Sequence, residues 1–142
     1  MIRMTRLLLP LAAVALLAGC SGPPSIADET GVDLPDALQS EGILGDSGPG
    51  AAWEGDGRDS FVVVVYGSSS CAPIPTGLTV DDPALLALDF AQNPREACTA
   101  DMAANTFRFD TPDGVASDGE IELAMTFEYD GEKTTTTVPI LD

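Results

Sequence analysis

The chain contains no histidine. The commonest general base and the commonest nitrogen ligand for a metal are therefore both missing. Basic residues are almost as scarce, with 6 Lys and Arg against 23 Asp and Glu. A surface of that sign repels nucleic acid and anionic headgroups, which removes both from the expected partners. Aromatic residues make up only 6% of the chain. No apolar run approaches the ~20 residues that a membrane-spanning helix needs, and no internal repeat or coiled-coil period is present. With three cysteines and no imidazole, too few soft ligands remain for a zinc centre.

What is present begins at the amino terminus. Arg3 and Arg6 precede an apolar run at residues 7–17, and Leu17-Ala18-Gly19-Cys20 follows before the chain turns polar at Ser21-Gly22-Pro23-Pro24. Cationic, apolar and small-residue regions in that order read as a secretory signal. An ordinary secretion signal with a chance cysteine is the bland alternative. The Leu-Ala-Gly-Cys ending resembles the lipobox of bacterial lipoproteins, and that resemblance implies a lipid on the Cys20 thiol and cleavage just before it. The partner it implies is the membrane, reached through Cys20, with the mature domain on the extracytoplasmic face. Ser21 stands where Gram-negative inner-membrane lipoproteins carry a retention aspartate. The expected organisation is a signal peptide at residues 1–19, a lipidated flexible linker at 20–49, and a folded domain at 50–142.

Cysteine parity agrees with export. One thiol left over is odd in a secreted chain, but assigning Cys20 to lipid leaves Cys71 and Cys98. Outside the cytoplasm these two are expected to form a disulfide. Processing would also remove two arginines, leaving four basic against 23 acidic side chains, a balance of −19.

Residues 21–49 are rich in Gly, Pro, Ser and acids, a composition that cannot offset its own ordering entropy. Most of this stretch is expected to be a tether. Leu34-Pro35-Asp36-Ala37-Leu38 and Ile43-Leu44 are its exceptions, able to dock or to form a short helix.

Beyond it, strand signals dominate. Phe61-Val62-Val63-Val64-Val65-Tyr66 is a β-branched run bounded by Asp59-Ser60 and Gly67-Ser68, which predicts a strand covered on both faces. Asp56-Gly57 predicts a hairpin back to Trp53. Leu78-Thr79-Val80 reads as a short strand. At residues 84–90 helix propensity, with Asp82 as cap and Pro83 at the first position, competes with the alternation of Leu86, Leu88 and Phe90; we read a strand. Phe107 and Phe109 share one face, with Arg108 on the other. Ile121, Leu123, Met125, Phe127 and Tyr129 alternate with polar or small residues, and Asp130-Gly131 is a two-residue turn. That turn sets Glu128 opposite Lys133, Leu123 opposite Val138 and Ile121 opposite Ile140. Pro139 predicts an edge for the last strand. Short strands, turn signals every 8–12 residues and one disulfide predict an all-β fold, a small antiparallel Ig-like β-sandwich.

Two motifs remain. Gly67-Ser68-Ser69-Ser70-Cys71-Ala72-Pro73 and Cys98-Thr99-Ala100-Asp101 resemble the paired signatures of a group of small lipoproteins of high-GC Gram-positive bacteria. The resemblance runs from about Trp53 to the end and supports the disulfide and the location. It brings no activity with it. Gly67-Ser68-Ser69-Ser70 lacks both the second glycine and the histidine of a nucleophile elbow, and no carboxylate pair is singled out for glycoside hydrolysis. Asp56-Gly57-Arg58-Asp59 and the acids of 110–120 put carboxylates in turns without calcium-loop spacing. The expectation is therefore no catalytic residue, no cofactor and no metal site. The domain should act by contact with a protein or an envelope component, or else as a receptor for a small ligand or divalent cation.

Overall fold

A computed structural model describes residues 23–40 and 48–142 of the chain. The signal peptide, Cys20 and Ile43-Leu44 lie outside the described residues. The elements in chain order are β1 (Glu29–Thr30), α1 (Asp36–Ser40), β2 (Gly50–Trp53), β3 (Ser60–Gly67), β4 (Ile74–Asp82), β5 (Leu85–Ala91), β6 (Ala103–Asp110), β7 (Glu122–Tyr129) and β8 (Glu132–Leu141). The strands form one eight-stranded sheet in the order β1-β6-β3-β2-β8-β7-β5-β4. The fold is all-β and sandwich-like, because the sheet curls until its two halves face each other. Phe61, Val63, Phe107 and Phe109 from one half meet Leu86, Leu88, Phe90, Leu123 and Met125 from the other in one core. Phe90 and Phe107 join the halves directly, with ring centroids 5.7 Å apart.

The β-branched run became β3, and its residues from Ser60 to Val65 are all buried. Phe61, Val63 and Val65 point into the main core, whereas Val64 packs with Ala52 under Leu38 of α1. Both faces are thus covered, as a continuous apolar run requires. At residues 84–90 alternation prevailed over helix propensity. Leu86, Leu88 and Phe90 are buried along β5, between Ala87 and Asp89 of lower burial.

The β7–β8 hairpin has the register that its turn dictates: Glu128 faces Lys133 and Leu123 faces Val138. The Ile140 amide donates to the Ile121 carbonyl at 2.8 Å. Asp130 and Gly131 both have positive φ, 51° and 82°, as a type I′ turn demands. The Asp56-Gly57 hairpin also forms, pairing Trp53 with Phe61. Its left-handed residues are Gly55 and Arg58, however, at 68° and 52°. Arg58 is held in that conformation by tertiary bonds to the Asp142 carboxylate and the Gly119 carbonyl, with its guanidinium 5.3 Å from the Trp53 ring.

Two expectations change. The sheet is antiparallel-dominated, but β5 runs parallel to β7, and β2 runs parallel to β8 at Ala51–Ile140 and Ala52–Leu141. The β8 strand is therefore not last in the order. Its end past Pro139 crosses to β2, and Pro139 falls at this switch, where its missing N–H disturbs least.

The tether is also shorter than expected. The Ile26 amide donates to the Pro75 carbonyl, the Asp28 amide to Arg108 and the Gly31 amide to Thr106, each at 3.0 Å. Ala27 packs against the core. Leu38, in the stretch expected to dock or to form a short helix, does both: it lies in α1 and is 1% exposed. Composition fails here because few apolar side chains suffice when an open sheet edge supplies backbone partners. No helix among the described residues is long and apolar enough to cross a membrane.

Candidate functional site

The chain leaves the β3–β6 pair after Gly67, builds the β4–β5 hairpin in the other half of the sheet, and returns at Ala103. Cys71 and Cys98 close this excursion with a disulfide across 27 residues. The two cysteine motifs, separate in sequence, thereby become a single loop cluster at one end of the sandwich.

Its centre is the Thr99 hydroxyl. That oxygen donates to Asp101 Oδ1 at 2.5 Å and lies 2.9, 3.1 and 3.3 Å from the hydroxyls of Ser68, Ser69 and Ser70. The Ser69 amide donates to Asp101 Oδ1 at 3.0 Å, and the Thr99 amide donates to Ser70 Oγ at 2.9 Å. Arg95 closes the outside of the cluster, its Nη1 donating to the Ser70 carbonyl at 2.9 Å. Nothing in the sequence flagged Arg95, because a bond to a backbone oxygen leaves no residue pattern.

Asp101 is held at about 2, below its usual 3.8, by hydrogen bonds from the Ser69 hydroxyl, then the Thr99 hydroxyl and the Ser69 amide. A carboxylate that acidic is a weak general base at neutral pH. The three serines therefore surround a threonine that is already donating, with no strong base in contact. As geometry, this is a self-satisfied polar cap that fixes two loops. Because the carboxylate is favoured by folding, its contribution is complete above about pH 4 and is lost as pH falls towards 2. The Ser69 amide, which donates to Asp101, is expected to lose hydrogen-exchange protection across that window. In Asp101→Ala it should exchange fast at every pH, and protection independent of pH in the unaltered chain would contradict this role.

The acidic turns are arranged differently. Arg58 pairs with Asp142, while Arg108 bonds Glu54 at 2.6 Å and Asp110 at 3.1 Å. Ser60 donates to the same Glu54 oxygen at 2.8 Å. Glu54 thus ties the end of β2 to β6, and Asp142 ties the end of β8 to the β2–β3 turn, while Asp110 pairs within β6; no group of three or more potential metal ligands occurs among the described residues.

One small cavity opens between the halves of the sheet. It measures about 230 Å³ and is bordered by Val65, Tyr66, Phe127 and Thr136. The Tyr66 hydroxyl is buried without a partner, and desolvation raises its pKa. No protein-family model, curated protein or solved structure matches the chain.

Proposed function

We propose that the protein is a lipid-anchored, extracytoplasmic lipoprotein whose β-domain acts by contact with a protein or envelope component, and not by catalysis. The observation that carries this reading is the run from Arg3 to Cys20, which has the order of a lipoprotein signal and ends in Leu17-Ala18-Gly19-Cys20. The Cys71–Cys98 disulfide supports it, since it uses both remaining thiols and suits an oxidising compartment. The high acidity, the two cysteine motifs and the resemblance to small lipoproteins of high-GC Gram-positive bacteria fit the same account. Against an enzyme stand the depressed Asp101 and the mutually bonded hydroxyls around Thr99. A receptor for a small ligand is the second reading, favoured by the unpaired Tyr66 hydroxyl beside the cavity.

Lipid at Cys20 has a sharp test. One acyl chain holds a protein only loosely, whereas two hold it firmly, at ~0.8 kcal/mol per buried methylene. Cys20→Ala is expected to abolish lipid incorporation and to leave an uncut or released chain in membrane fractionation. A variant still cut and still membrane-bound would overturn the reading.

A further inference from the structure

Among the described residues, β8 is paired on both sides only at its end. It meets β7 from Glu132 to Pro139, but meets β2 only at Ile140 and Leu141. No described strand pairs with residues 132–139 on the second side. The ladder fixes which backbone groups are left over. The Ile140 amide donates to Ile121, so the even-numbered residues turn their N–H and C=O groups to β7. Lys133, Thr135 and Thr137 turn theirs to the open side.

The side chains are open as well. Thr134 to Thr137 are all exposed, although Thr134 and Thr136 lie on the face that Val138 turns to the core. Four β-branched residues in a row keep the backbone extended without burial. Lys133 and Pro139 blunt the two ends of this edge and leave Thr135 and Thr137 between them.

The cavity of about 230 Å³ lies along the same gap. Its border crosses from Phe127, Tyr129 and Thr136 on the β7–β8 hairpin to Pro49, which leads into β2, and to Val65 and Tyr66 of β3. Tyr129 is 51% exposed, and the buried Tyr66 hydroxyl has no partner. Pockets for whole small ligands measure ~300–1,000 Å³, so this space suits a single large side chain. A strand added to the edge would place alternate side chains on the core face, over the cavity.

We infer that the open edge of β8 at residues 133–137 takes an extended segment of a partner protein, which pairs with it by main-chain hydrogen bonds and seats one large apolar side chain beside Thr136, Phe127 and Tyr129. The inference rests on the contact reading and names its mode. Charge selects the segment. Asp130 and Glu132 are exposed at the start of the edge, in a chain with 23 acids, so the apolar anchor is flanked by Lys or Arg. A second copy of the chain fits worse, because the exposed part of β8 offers threonines and no large apolar side chain, and because two acidic chains repel.

The test begins with hydrogen exchange on the full chain. The Thr135 and Thr137 amides are expected to exchange fast, while β7 protects those of Thr134 and Thr136. Protection of Thr135 and Thr137 before any peptide is added overturns the inference. If that protection is independent of concentration, the chain covers its own edge; if it grows with concentration, a second copy does. A displayed library of short random peptides is then selected on the full chain. Enriched peptides are expected to combine a large apolar residue with Lys or Arg and to slow exchange at Thr135 and Thr137. They should bind about tenfold more weakly to Thr135→Pro and to Thr136→Lys. The first change removes an N–H that β7 does not use, the second sets a repelling charge at the cavity, and retained protection at Thr134 shows that the hairpin still forms. Peptides that bind either folded variant unchanged overturn the edge site, and so does a selection that enriches nothing. Cross-linking of the full chain in its native envelope decides the contact reading separately, since it reports a partner on any surface.

Discussion

Phe61→Ala is expected to cost about 4 kcal/mol of stability. Phe61 is fully buried on β3, between Trp53 in an edge-on contact at 5.7 Å and Phe109 stacked at 5.5 Å. Removing the ring leaves two aromatic neighbours without a partner and a void that strand backbones cannot close, since both are fixed by the sheet. The Trp53 ring also supports Arg58, whose pairing with Asp142 holds the β2–β3 turn. A domain of about 95 residues is stable by only ~5–14 kcal/mol, so this one change removes a large share. Urea unfolding followed by the fluorescence of Trp53, the only tryptophan, measures it directly. Phe61→Leu, which keeps most of the volume, should lose less than about 1.5 kcal/mol. A loss below about 1 kcal/mol for the alanine variant would mean that the core does not depend on this ring.

Replacing both Cys71 and Cys98 by alanine should cost about 3.5 kcal/mol by a different route. The bond spans 27 residues, and the chain-entropy estimate for a loop of that size gives this value. Here the loss acts on the unfolded chain, which gains freedom, more than on native packing, since Cys98 is exposed. The two variants therefore differ in signature. Loss of the disulfide should raise the dependence of unfolding on urea, because the unfolded state exposes more surface, whereas Phe61→Ala should leave that slope unchanged. The melting temperature should fall by about 20 °C. The β3–β6 pairing should survive below the melting point, but protection of the Ser69 and Thr99 amides should not. A melting temperature shifted by less than about 5 °C would show that the loops hold each other without the bond.

Both effects concern residues that were legible in the sequence. Phe61 sits in a run of six apolar residues between turn signals, and such a run has no place except in a core. The cysteine pair was legible from parity. The hairpin after β7 could be read in full, register included, because a two-residue turn leaves no freedom in pairing. The apolar run and the hairpin are short-range facts, in which a residue's neighbours in sequence are also its neighbours in space, whereas the cysteine pair, 27 residues apart, was read by counting.

The loop cluster around Thr99 was half legible. Its two motifs stood out, but their meeting depends on the β4–β5 excursion and on Arg95, whose contact is with a carbonyl. The pairing of Glu54 with Arg108 joins residues 54 positions apart, and no spacing rule links them.

The sequence alone determined the class of the fold, the strand periods, the last register, the surplus of negative charge and the availability of two thiols to each other. These follow from alternation, turn chemistry and counting, which need only the covalent chain. The tertiary structure decided the strand order, with its two parallel pairings and the crossing of β8 at Pro139, and decided that residues 26–31 lie on the domain. The reason is that backbone N–H and C=O groups carry no sequence label. Which sheet edge a polar segment such as Ile26 to Gly31 will satisfy is fixed only once the curled sheet exists and leaves that edge open.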